Sequence, residues 1–246
     1  MSLYYEDRVI VFLDILGFKQ HIDKTKIDAI HEKKINRILN FINKIGIENS
    51  KDKYGLKKTA NKEVSVFSDS IVISYPTNHL SAVFYLLIDV VHIQLELMAQ
   101  GILVRGGITI GKLYHENGVI YGPAMNKAYE IESKDAIYPR VVVDHNILIK
   151  GMVNINHSLK QEWNYISDLI EMDDDKQLYV DFMSQWTEFD EVEYYFKSLK
   201  TIKELIQNEI KLGNNPNILL KYNWLRSYYH KSICKLRPEF RKGLFI

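Results

Sequence analysis

The chain has 246 residues, 46% of them hydrophobic, enough for one substantial core or for one domain plus an appendage. With 32 Lys+Arg against 31 Asp+Glu the net charge is +1, which gives no electrostatic basis for wrapping nucleic acid or coating a membrane. The single cysteine, Cys234, can form neither an internal disulfide nor a cysteine-based zinc site, and a reducing cytoplasm is the expected location.

Residues 1–7 turn acidic at once, without a basic segment and an apolar run behind it, so no signal peptide is expected. Residues 8–13 (RVIVFL) form a continuous apolar run rich in β-branched side chains, the pattern of a strand buried on both faces. It ends at Asp14, where Gly17 and Phe18 turn the chain. Ile30, Ile35, Ile38, Leu39, Ile42 and Ile45 recur at helical spacing, which predicts an amphipathic helix starting near Asp28. Residues 49–62 are polar and lysine-rich, a surface connection.

Two strand-like runs, 64–67 and 71–75, are joined through Ser68, Asp69 and Ser70, a tight hairpin with a carboxylate at its tip. Residues 80–99 predict a helix; Asp89, His92, Gln94 and Glu96 interrupt its apolar run, so it reads as a core helix rather than a bilayer span of ~20 apolar residues. A strand over 103–110 and a hairpin over 112–121, around Asn117-Gly118, come next. Pro123 suits the first turn of a helix running to about Ser133, and 141–143 form a strand. The order β-α-β-β-α-β-β-α-β predicts an α+β, ferredoxin-like fold, a mainly antiparallel sheet with helices on one face. Beyond about residue 150 a hairpin over 169–182 and two helices, 191–211 and 217–235, are expected. The division drawn is 1–150 for a catalytic domain and 151–246 for a C-terminal extension. Within that extension the acidic run 173–175 reads as a solvated turn, and Trp224, Tyr228 and Tyr229 as packing at helical spacing.

Three segments carry chemistry. In FLDILGF, residues 12–18, a carboxylate at a strand end precedes a glycine turn, so it can face a ligand while the backbone of Ile15, Leu16, Gly17 and Phe18 approaches it. Asp69 sits at the hairpin tip, and if the two strands are neighbours the two carboxylates converge. Such a pair repels in low dielectric unless a cation lies between them, and Mg²⁺ suits few carboxylates completed by water and phosphate oxygens. In VRGGITIG, residues 104–111, adjacent glycines allow close backbone approach; Tyr121 to Asn126 follow, with a helix start at Pro123.

In this order the segments resemble the class III nucleotide cyclase catalytic domain over about residues 8–145. The resemblance implies Asp14 and Asp69, with the Ile15 carbonyl, as ligands of two Mg²⁺ or Mn²⁺ ions. It aligns Asn126 with a transition-state-stabilising asparagine contributed by the opposite protomer of a homodimer with composite active sites. Arg105, also a catalytic candidate beside Asn126, and Lys127 are candidate triphosphate ligands, and Ile15, Leu16, Gly17, Phe18 and Ser65 are further candidate substrate contacts. The departures are specific: Glu130 stands where the family has its catalytic arginine, Ser65 where adenylate cyclases have their adenine-selecting lysine, and Val119 where a purine-contacting aspartate is found. A metal half without a purine-reading half resembles the pyrimidine cyclases of the bacterial Pycsar antiphage systems. These make cyclic UMP or cyclic CMP for a separate cyclic-nucleotide-sensing effector. A purine cyclase with a rearranged base pocket and a decayed, non-catalytic nucleotide-binding module remain as alternatives. The expected partners are a nucleoside triphosphate and a second copy of the chain, with neither nucleic acid nor membrane.

Overall fold

The computed structural model describes residues 4–48, 62–150, 159–188, 191–213 and 215–246. The polar connection expected over 49–62 lies, apart from Lys62, outside them. Strand β1, Glu6–Ile15, is the centre of the molecule. It pairs antiparallel with β3, Ser70–Pro76, on one side and with β4, Val104–Glu116, on the other. Val9, Val11, Leu13 and Ile15 face one core, while Ile10 and Phe12 face a second. Both faces are covered, so the apolar run in β1 is continuous rather than alternating.

Helix α1, Phe18–Thr25, springs from Gly17, whose φ of 73° favours glycine. It buries no residue, so no apolar stripe announced it. Helix α2, Ala29–Glu48, starts where the Asp28 carboxylate accepts from the N–H groups of Ile30 (2.9 Å) and His31 (3.1 Å). Strand β2, Glu63–Phe67, and β3 form the expected hairpin, with helix α3, Ala82–Ala99, after it. Among the described residues α3 alone is long and apolar enough to cross a bilayer, and here it is mostly buried in the core.

Strand β4 is longer than the run 103–110 suggests, continuing without a break into a hairpin with β5, Val119–Tyr121. Asn117 and Gly118, at φ 52° and 80°, make that turn. Helix α4, Pro123–Glu130, passes into a π-helical turn, Ile131–Asp135. Strand β6, Val141–Val143, runs parallel to β4. Helices α5, Asn146–Lys150, and α6, Leu159–Ser167, precede the hairpin of β7, Ile170–Met172, and β8, Leu178–Val180. The last helices are α7, Val192–Leu212, ended by Gly213 at φ 62°, and α8, Pro216–Lys235, capped by the Asn215 side chain.

The fold is α+β, with a mainly antiparallel sheet ordered β2-β3-β1-β4-β6-β8-β7 and β5 paired on β4. Residues from α2, α3, α7 and α8 share one core with β1 and β3. Helix α4 lies over the opposite face, its Ala124 and Ala128 against Ile10, Phe12 and Val72. That helix comes very close to the sheet. A Cβ on Gly107 would stand 2.4 Å from the Ala128 carbonyl, and one on Gly106 would stand 2.5 Å from the Phe12 carbonyl. The paired glycines therefore serve contacts with α4 and β1.

The sheet does not stop at residue 150, because β8 pairs with β6 across that point. Arg140, fully buried, forms ion pairs with Asp173 and Asp175 in the β7–β8 turn. Its guanidinium lies 5.0 and 5.8 Å from the centroids of the stacked Tyr138 and Trp224 rings. The Trp224 indole donates to Asp173 at 2.6 Å. The acidic turn is thus an anchor rather than a solvated loop, a role the sequence hid because Arg140 lies 33 residues from Asp173. Trp224 and Tyr228 pack within the core-side cluster, as their spacing suggested.

Candidate functional site

Asp14, on β1, faces Ser70 on β3 and Arg105 on β4, the registers on its two sides. The Ile15 N–H donates to the Asp69 carbonyl at 3.1 Å, tying the β2–β3 turn to the end of β1. Ser68 adopts a left-handed φ of 55° in that turn, a conformation costing about 1 kcal/mol for a non-glycine residue. The two carboxylates singled out from sequence are therefore brought to one place. Asp14 has its pKa raised, first by burial and next by the negative charge of Asp69; Arg105 and hydrogen bonds from Arg105 and Ser70 oppose the rise.

Arg105 is shared. Its Nε lies 3.6 Å from Asp14 and 2.7 Å from Glu132, without hydrogen-bond geometry to the latter. Glu132 is buried, and its pKa is raised chiefly by that burial and further by Asp14, while Arg105 lowers it. Sequence reasoning missed Glu132. It sits in the π-helical turn after α4, where wider winding displaces it from the face an α-helix would give it. The closest available signal was Gly107, because that missing side chain lets α4 and Ile131 settle on β4.

The other expected residues are distributed more widely. Ile15 is buried, so its main chain rather than its side chain is available to a ligand. Leu16 and Phe18 pack partly against the core, and Gly17 is exposed at the start of α1. Asn126 and Lys127 lie on the exposed side of α4. Lys127 pairs with Glu130 at 3.3 Å, and Lys134 pairs with the same carboxylate at 3.0 Å. Those two cations lower the Glu130 pKa, so its negative charge is balanced by its own neighbours. Ser65 is buried, and its hydroxyl is 2.9 Å from His115 Nε2. The other ring nitrogen of His115 is 2.8 Å from Ser74, to which Arg8 donates at 2.8 Å. Expected as a substrate contact, Ser65 is committed to this buried chain, which holds the His115 pKa down at about 3, mainly by desolvation.

Among the described residues no three His, Cys, Asp or Glu side chains are placed to share a metal. The candidate donors for a cation are the Asp14–Asp69 pair and neighbouring main-chain oxygen. The excess of carboxylates over Arg105, and the raised Asp14 pKa, fit a hard divalent ion such as Mg²⁺ or Mn²⁺.

No family model and no curated protein matches the chain. Among solved structures, a bacterial light-regulated adenylyl cyclase is similar at 12% identity and a TM-score of 0.39, covering 80% of this chain and 98% of that one.

Proposed function

We propose that the protein is a nucleotide cyclase that converts UTP or CTP to the 3′,5′-cyclic monophosphate and pyrophosphate. The observation that carries this reading is the convergence of Asp14 and Asp69 at adjoining strand ends, with the Asp14 pKa raised by burial and by its neighbour. Asp14, Asp69 and the Ile15 main chain would hold two divalent ions. When bound, such ions would supply Lewis acidity, favouring deprotonation of the ribose 3′-hydroxyl and offsetting the charge of the leaving pyrophosphate. Arg105 offers a fixed guanidinium to the triphosphate, and Glu132 orients it. Gly17 leaves the turn open to close approach by the phosphates.

The base preference rests on what the site lacks. Ser65 is engaged with His115 and Val119 is exposed, so the charged pair that reads adenine has no counterpart at these positions. The shared-site dimer rests on α4. Asn126 faces solvent with no side-chain hydrogen bond among the described residues, beside the exposed Tyr129 and with Phe67 and Tyr121 also exposed. A second copy seated there would receive Asn126 and cover those aromatics. The resemblance to Pycsar enzymes supports a role in cytoplasmic antiphage signalling, in which a separate effector would read the cyclic nucleotide.

The deciding experiment incubates the purified protein with Mn²⁺ and each of the four nucleoside triphosphates in turn. Turnover of UTP or CTP at least ~10-fold above ATP and GTP, about 1.4 kcal/mol, is expected. ATP as the best substrate makes it a purine cyclase; binding without pyrophosphate release makes it a nucleotide-binding module. Composite sites are tested by co-expressing Asp69→Asn and Asn126→Ala chains, each inactive alone. Random pairing gives half mixed dimers with one intact site of two, so activity returns to about a quarter of the parent's.

A further inference from the structure

Beside the Leu16–Gly17 turn lies a cavity of ≈ 150 Å³, walled on one side by α1 and on the other by α7 and α8. Lys24 and Lys221 line it, and Gly101 forms part of its wall. Lys34 stands behind that wall, its Nζ within 3.7 Å of where a Cβ on Gly101 would be. Among the described residues no carboxylate forms an ion pair with Lys24, Lys34 or Lys221. One acid, Glu209, shares the lining. Two lysines thus line a cavity next to the proposed metal ligands, with a third behind its wall. Unpartnered cations gathered at a concave site favour an anion.

We propose that this cavity takes the terminal phosphates of the nucleotide, with Lys221 of the C-terminal helix α8 and Lys24 of α1 as their cation ligands. The nucleotide's identity rests on the cyclase reading; the polyphosphate chemistry rests on the cavity itself. The electrostatics agree with the geometry. Lys221 has its pKa lowered by burial and then by the positive charge of Arg105. Lys34 is lowered likewise by burial and by Lys24. His21, in the same lining, is held at about 4 by burial and by its neighbours His31, Lys34 and Lys24, so it faces the ligand uncharged at neutral pH. A polyphosphate would relieve each of these repulsions at once.

The test uses inorganic tripolyphosphate and the full chain, with binding followed by calorimetry. Lys221→Ala is expected to weaken binding at least ~10-fold. Lys221→Arg should stay within a few-fold of the parent, and Glu209→Gln should bind more tightly. Because Lys221 has no carboxylate partner, its neutralisation relieves repulsion, and the melting temperature of Lys221→Ala should hold or rise. With a turned-over nucleotide, the same change should raise KM more than it lowers kcat. Failure of the parent to bind tripolyphosphate, or equal binding by parent and Lys221→Ala, overturns the proposal. A parent that binds tripolyphosphate through Lys221 but cyclises none of the four nucleotides upholds the proposal and removes the cyclase reading.

Discussion

Two arginines of this protein sit among carboxylates, and their surroundings differ in kind. Arg140 is fully buried, meets Asp173 and Asp175, and lies against the stacked rings of Tyr138 and Trp224. Its charge is answered within the fold. Arg105 is partly exposed and is drawn between Glu132 at 2.7 Å and Asp14 at 3.6 Å, while Asp69 repels Asp14 and Arg105 itself repels Lys221. Its cluster has charge left over in both directions. A cluster that balances itself fixes the structure; one that does not keeps room for a ligand.

The comparison breaks first at the carboxylates. Asp14→Asn or Asp69→Asn should lower product formation at least ~1000-fold, since each removes a ligand of the proposed metals. Either change also relieves the repulsion that raises Asp14, so melting temperature without metal should hold or rise. Mg²⁺ should stabilise the parent more than either variant, and equal shifts in all three would take both residues out of the site. The opposite pattern is expected at the other arginine. Arg140→Met should cost about 3 kcal/mol in urea unfolding, because Asp173 and Asp175 lose their buried partner, while turnover per folded molecule is retained.

A third buried group sharpens the contrast, since His115 is kept neutral rather than paired. Its folded pKa of about 3 lies below the usual 6.5, so in that window only the unfolded chain takes up the proton. Stability should therefore fall as pH drops from 6.5 towards 3, by up to ~1.4 kcal/mol per pH unit from this group. His115→Gln, which can still bond Ser65 and Ser74, should flatten that slope. The smallest effect belongs to Glu130. Glu130→Gln should leave melting temperature and turnover unchanged, and a large gain in turnover would show that its charge opposes the substrate despite Lys127 and Lys134.

The part of the candidate site built from consecutive residues is legible in the sequence. A strand-end aspartate with a glycine turn and a second aspartate at a hairpin tip are local patterns, and strand pairing brings them together. Strand β6 likewise matched its run of three valines. Glu132, Lys221 and the His115 chain were not readable, each for its own reason. Glu132 depends on a π-helical turn that no spacing announces. Lys221 joins the cavity beside Leu16 and Gly17 only through the docking of α8, about two hundred residues further along the chain. Ser65 is a candidate substrate contact by position, yet its hydroxyl is bonded to a histidine 50 residues downstream.

The continuation of the sheet through β6, β8 and β7 also bears on how the protein can be cut. A fragment ending at residue 150 would leave Val141–Val143 as an open edge of three β-branched residues, with the Arg140 guanidinium stripped of both its acids. It would also uncover the core surface now sealed by Tyr195, Leu199, Leu225 and Tyr229. Such an edge pairs readily with its own copies, so the truncated product should partition to the insoluble fraction while the full chain does not. The last hundred residues thus act as a solubility clasp, and grafting or swapping them between homologues would have to carry β7, β8 and Arg140 together.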